Sequence, residues 1–92
     1  MRPNVGAATQ IFSPQFDRIL FSLPPSVQKR IADRIDALGR DLFGAHYRMQ
    51  GVNAFRLRVG DFRIIYQFNL EKNELYLFAV GNRREIYKKP LN

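Results

Sequence analysis

The residues of this chain best suited to chemistry are arginines. In RLRVGDFRIIYQF, residues 56–68, Arg56, Arg58 and Arg63 flank a Gly60-Asp61 pair that reads as the two-residue loop of a β-hairpin, with glycine first as a type II′ turn prefers. That loop pairs Val59 with Phe62 and Arg58 with Arg63. Side chains alternate across a strand, so Phe55, Leu57 and Val59 align with Phe62, Ile64, Tyr66 and Phe68 on one face, and the three arginines gather on the other. Like charges directly opposite one another destabilise a sheet by about 0.2–1 kcal/mol, which gives folding no reason to place them there. A bound anion supplies one. Phosphate suits best, because a guanidinium stays protonated at any working pH and can grip two phosphate oxygens at once. The plain alternative is a solvated face, with guanidinium groups splayed into water and their stems covering apolar surface.

A second basic stretch, GNRREIYKK at residues 81–89, follows an apolar strand and brings Arg83, Arg84, Lys88, Lys89 and Tyr87 toward the same sheet. Arg83 is the first choice for a phosphate ligand; Tyr87 offers a hydroxyl and a stacking surface that suit RNA, or else packs at the C-terminal end. Other chemistries are excluded by what the chain lacks. There is no cysteine, hence no disulfide, thiolate zinc site or thiol nucleophile, and His46 is the only histidine, which removes a two-histidine ribonuclease pair and a histidine-rich metal site. His46 itself reads as an exposed loop residue. Asp33 and Asp36, three apart on a helix, read as solvated salt-bridge partners rather than as general acid and base, and no glycine-rich phosphate loop or serine triad motif is present. If the chain is an enzyme, arginine and tyrosine carry the reaction, with no metal and no cofactor.

The elements that must position these residues are legible in outline. Ninety-two residues, 46% of them hydrophobic, suffice for one core, so residues 1–92 read as a single domain. ATQIFS, residues 8–13, reads as a short strand, and Ser13 before Pro14 is an N-cap with proline at the first helical position. Phe16, Ile19, Leu20 and Leu23 share one face of the helix that follows. A second helix enters through Pro24 and Pro25 and carries the apolar stripe Val27, Ile31, Ile35, Leu38 and Leu42, with Lys29, Arg30, Asp33, Arg34, Asp36 and Arg40 on its solvated side and Gly44 as its C-cap. From about residue 47 the period becomes two: YRMQ is a candidate short strand, AFRLRV and FRIIYQF are stronger ones, and the nearly all-apolar ELYLFAVG reads as a central strand covered on both faces. The last hairpin turns at NLEKN. The result is an α+β fold in the order β-α-α-β-β-β, two N-terminal helices packed on one face of a small, mainly antiparallel sheet. The first seven residues or so and the last few read as loose ends.

A net charge of +7 points to an anionic partner, RNA, DNA or an acidic protein. No signal-peptide core and no run of about 20 apolar residues is present, so a cytoplasmic protein is expected, with no membrane partner.

VGDFRIIYQF and VGNRREIY, downstream of LPPSVQKRIADRIDAL, resemble the RelE/ParE toxin superfamily, and the RelE type in particular, over about residues 9–87. The resemblance implies the toxin of a type II toxin-antitoxin system, an endoribonuclease that cuts messenger RNA in the ribosomal A site and so inhibits translation. It implies no metal: the substrate's own 2′-hydroxyl attacks the adjacent phosphate. The family's basic hairpin residues fall on Arg56, Arg58 and Arg63, its arginine after the central strand on Arg83, and its C-terminal tyrosine on Tyr87. Arg63 and Arg58 are then expected to hold the non-bridging phosphate oxygens and Arg83 the leaving 5′-oxygen. Tyr87 either stacks on a base or accepts the 2′-hydroxyl proton. Arg56, Arg84, Lys88 and Lys89 would bind RNA, and Arg84 competes with Arg83 for the place in the groove. Asn82 stands where many relatives have a histidine able to exchange protons. The resemblance also implies a cognate antitoxin, in part disordered and amphipathic, with acidic side chains for the basic groove. Two other outcomes share the fold: a ParE-like inhibitor of DNA gyrase, and a catalytically weak homologue acting mainly through its antitoxin. The closing RREIY favours the ribonuclease.

Overall fold

The computed structural model describes residues 7–42, 44, 46–49 and 54–82. The elements run β1 (Thr9–Phe12), α1 (Pro14–Phe21), α2 (Pro25–Arg40), β2 (Tyr47–Arg48), β3 (Phe55–Val59), β4 (Phe62–Asn69) and β5 (Glu74–Asn82). The strands make one sheet in the order β1-β5-β4-β3-β2, antiparallel except where β1 runs parallel to β5. The β-α-α-β-β-β order therefore holds for the longer elements, and YRMQ adds the two-residue edge strand β2 to it. The loose ends expected at the two termini fall almost wholly outside the described residues. Among the described residues no helix is long and apolar enough to cross a membrane.

Ser13 joins three elements. Its hydroxyl accepts from the Phe16 amide at 3.0 Å, capping α1, and donates to the Phe78 carbonyl of β5 at 2.6 Å, while its own amide donates to Leu77 O at 3.0 Å. The start of α1 is thereby stitched to the strand beneath it. α2 lies beside α1 on the same sheet face, and Phe16, Ile31 and Ile35 meet Val59, Ile64, Tyr66, Leu75, Leu77 and Val80 in one buried cluster. Each such fully buried large apolar side chain contributes about 1.5–3 kcal/mol of transfer free energy, so this layer contact is the main source of stability. The expected helix stripes are the ones buried.

Three expectations need correcting. α2 ends at Arg40, not at Gly44: Asp41 leaves the helical region at φ −139°, and its amide closes the last turn on Leu38 O at 3.1 Å. An aspartate is poorly placed at a helix C-terminus, where the backbone dipole is negative, and its short side chain competes for the backbone. Gly39, inside the last turn, is buried and its carbonyl receives the Ala8 amide at 2.9 Å, so β1 enters the sheet directly over it.

β5 is an interior strand, but its outer face is covered only in part, since Ala79 is buried there while Phe78 is exposed. Its long apolar run has a second cause. Ile65 pairs with Ala79 and Tyr66 with Leu77, leaving Phe78 as an extra residue in a β-bulge. Leu75, Leu77 and Val80 therefore all reach the helix side although the last two are three apart, and strict alternation is lost from the sequence.

His46, finally, is not an ordinary exposed residue. It is half-buried, stacks on Phe68 with ring centroids 4.2 Å apart and meets Phe55 and Tyr66 edge-on. Its Nε2 lies 2.9 Å from the Leu42 carbonyl, which can only accept, so Nε2 carries the proton and Nδ1 accepts from the Tyr66 hydroxyl at 2.7 Å. The Tyr66 ring is buried, and burial pushes its hydroxyl pKa up to about 12.

Candidate nucleic-acid interface

The β3–β4 hairpin turns at Gly60-Asp61 with Gly60 at φ +60°, and Asn73 is the only non-glycine at positive φ among the described residues, which makes this a type II′ turn. The register is the one expected: Val59 opposite Phe62, Arg58 opposite Arg63, Leu57 opposite Ile64, Arg56 opposite Ile65 and Phe55 opposite Tyr66. Phe55, Leu57, Phe62 and Phe68 pack on the helix-side core, so Arg56, Arg58 and Arg63 emerge together on the outer face. Arg56 and Arg58 are exposed and Arg63 is half-buried.

The bed beneath them is apolar and small. Ile65, Ala79 and Ala54 are buried together with Met49 packed against them, and on β5 the residue opposite Arg63 is Gly81, which places no side chain beside it. Arg58 donates from Nε to the Gly60 carbonyl at 3.2 Å, which steadies its guanidinium and leaves the terminal nitrogens for a ligand. Among the described residues neither Arg56, Arg58 nor Arg63 forms an ion pair with a carboxylate. Asp33, by contrast, is paired with Lys29 at 2.9 Å, and Asp36 accepts from Gln10 Nε2 at 2.7 Å, so these two carboxylates serve the surface of α2. Three cations without an ion pair among the described residues thus stand side by side on the hairpin.

Of the other candidate residues, Arg83, Arg84, Tyr87, Lys88 and Lys89 lie outside the described residues. Asn82 pairs with Phe62, which places it on the helix side of the sheet, while its neighbour Gly81 belongs to the arginine face. One basic residue near the hairpin is not signalled by the sequence pattern. The guanidinium of Arg30, on α2, lies against the hairpin turn, where a Cβ placed on Gly60 would stand 3.0 Å from its Nη1. Helical periodicity assigns Arg30 to the solvated side but says nothing of what stands next to it.

The sequence model for the ParE toxin of the type II toxin-antitoxin system, parDE, matches residues 11–87. The chain belongs to the RelE/ParE toxin superfamily. It is thus a toxin of the type II toxin-antitoxin class. Solved toxins of the RelE type share its fold. The chain of a RelBE toxin-antitoxin complex from Mycobacterium tuberculosis superposes with a TM-score of 0.74 at 21% identity, covering 86% of this chain and 94% of that one. The isolated RelE toxin of E. coli gives 0.73 at 17% identity over 89% and 93% of the two chains. A RelB-RelE complex from Methanococcus jannaschii gives 0.66 at 25% identity over 85% and 95%. No protein of curated function has a matching sequence. The α+β architecture of this RelE/ParE toxin, two helices on one face of a mostly antiparallel sheet, is that of these neighbours.

Proposed function

We propose that this chain is a single toxin domain that cleaves messenger RNA in the ribosomal A site, in the cytoplasm, by promoting attack of the RNA's 2′-hydroxyl on the adjacent phosphate. The observation that carries the reading is the hairpin register, which sets Arg58 directly opposite Arg63 beside Arg56 on an open face, with no carboxylate paired to them among the described residues. Such a group is poor for folding and well suited to a phosphate whose charge grows in the transition state. Arg58 and Arg63 take the two non-bridging oxygens. The 2′-oxygen bonds to phosphorus, the bond from phosphorus to the 5′-oxygen breaks, and its electron pair leaves with that oxygen, whose charge Arg83 neutralises. Tyr87 either takes the 2′-hydroxyl proton as its phenolate or stacks on a base to hold the strand in line, in which case water takes that proton; the 5′-oxygen gains its proton from Arg83 or from water. The products are a 2′,3′-cyclic phosphate and a 5′-hydroxyl. Arg56, Arg84, Lys88 and Lys89 hold the flanking RNA. Because so few groups act on the phosphate, the ribosome is given the task of holding the message bent for in-line attack.

Added to a translating ribosome complex, the protein is expected to cut the A-site codon, mapped by primer extension. Arg63→Ala removes one transition-state charge donor and is expected to slow single-turnover cleavage about 10²–10³-fold. Intact message with the wild-type protein, or an unchanged rate with Arg63→Ala, refutes the reading. The partner in the resting cell is a cognate antitoxin, as in the RelB complexes of the neighbours. Ile11, Phe12, Phe21, Leu70 and Phe78 are large apolar residues left exposed for the amphipathic segment of such a partner.

A second reading, inhibition of DNA gyrase, is favoured by the ParE name of the matching family. It predicts loss of gyrase supercoiling with ribosomes unaffected, so the two assays separate the readings.

A further inference from the structure

The charge around the hairpin is not confined to the outer face. Arg30 comes from α2, on the opposite side of the sheet, yet its guanidinium rests on the turn at Gly60, to whose carbonyl Arg58 Nε is bonded. Two guanidinium groups from different layers thus meet at one turn, and Arg30 forms no ion pair among the described residues. Packing does not require this. Arg30 is exposed, and Lys29 beside it is neutralised by Asp33. Gly60 allows the approach twice over, since its positive φ makes the turn and its missing Cβ leaves the space the guanidinium occupies. Arg34, also exposed and without an ion pair among the described residues, follows one helical turn later on the same helix face, about 6 Å further along the axis. The positive surface therefore runs from Arg56 and Arg63, over the hairpin tip, and onto α2.

We infer that Arg30 is an RNA-binding residue that contacts a phosphate other than the scissile one, so that the strand follows the cationic band around the hairpin tip. This rests on the ribonuclease reading. The second phosphate belongs either to the message or to ribosomal RNA, and both present the same chemistry to a guanidinium.

The test is the salt dependence of binding. Each phosphate neutralised on a single strand contributes about 0.7 to the slope of log K against log salt concentration. Binding is measured for wild type, Arg30→Ala and Arg40→Ala, first to a short single-stranded RNA with 2′-O-methyl groups in place of its hydroxyls, then to ribosomes. Arg40 ends α2, about 15 Å from Arg30 along the helix, and its removal costs the same net charge. Thermal unfolding confirms that each exposed substitution leaves the fold intact. A slope lower by about 0.7 for Arg30→Ala, with Arg40→Ala unchanged, is expected. If the loss appears on the oligonucleotide the phosphate is the message's; if it appears only on ribosomes it is ribosomal. An unchanged slope on both for Arg30→Ala, or an equal loss for Arg40→Ala, overturns the inference while wild-type RNA binding leaves the ribonuclease reading standing. Absence of salt-dependent binding by the wild type removes both.

Discussion

Replacing Arg63 with glutamine should make the protein more stable and less active at once. Arg63 stands directly opposite Arg58 on the open face, at the separation of about 5 Å that facing residues have, and among the described residues no carboxylate offsets the pair. Removing one member relieves about 0.2–1 kcal/mol of repulsion. Glutamine keeps the first part of the side-chain stem, so little of the half-buried packing at this site is lost. For a domain of this size, 1 kcal/mol shifts Tm by about 4–8 °C, which places the expected rise between about 1 and 8 °C. The sign of the effect can be traced to charge. At 0.01 M salt the screening length is about 30 Å and the repulsion is fully felt; at 1 M it is about 3 Å, shorter than the separation of the pair. Urea unfolding at the two salt concentrations should therefore show a stability gain that closes at the higher one, while single-turnover cleavage by the same variant falls about 10²–10³-fold. A variant less stable than wild type at low salt, or a gain indifferent to salt, would show that the arginines are not strained against each other and would remove the physical ground for assigning them to an anion.

Tyr66→Phe takes away the hydroxyl that His46 Nδ1 accepts and should cost about 1 kcal/mol near neutral pH. The Tyr66 pKa is raised by burial to about 12, so its stabilising contribution is complete below the unfolded value of about 10 and is lost as pH rises toward 12. At about 1.4 kcal/mol per unit, the wild type should lose its advantage and fall below Tyr66→Phe above about pH 11, read by urea unfolding across that range; parallel pH profiles would refute the assignment. Gly39→Ala should stabilise by about 0.5–1 kcal/mol, because the residue is helical and the nearest atoms to an added Cβ, Ala8 O, Gln10 Nε2 and Leu75 Cδ2, are at 3.8 Å; a lowered urea midpoint would show that β1 cannot tolerate the methyl.

The hairpin could be read from the sequence because two independent signals agreed on it. A Gly-Asp loop fixes which residues face each other, and strict alternation from Phe55 to Phe68 fixes which side is buried, so the placing of Arg56, Arg58 and Arg63 followed. The same reasoning worked for Ser13 and for the stripes of α1 and α2. It failed where a contact across the fold overrode local pattern. The end of α2 is set by Asp41 and by β1 crossing at Gly39, neither of which marks itself in a helical period. His46 gained a structural role from Leu42, Phe55, Tyr66 and Phe68, which come from three parts of the chain. Arg30 looks like any solvated helix residue until α2 is laid on the sheet with its early turns over the hairpin tip. Continuous apolar character in ELYLFAVG suggests two fully covered faces, whereas the outer one is covered only at Ala79 and the bulge at Phe78 accounts for the rest of the run.

That bulge acts on the side-chain pattern as a one-base insertion acts on a reading frame. Upstream of Phe78 the odd-numbered residues Leu75 and Leu77 face the helices; downstream the even-numbered Val80 and Asn82 do. Were the pairing of Tyr66 with Leu77 continued without a bulge, Val80, not Gly81, would stand beside Arg63, and a side chain would fill the space that glycine leaves open. Correspondence between this toxin and its relatives at the exit of β5 should accordingly be counted from the far side of the bulge. A relative that lacks the extra residue presents a different position to the arginines even where the letters around it align.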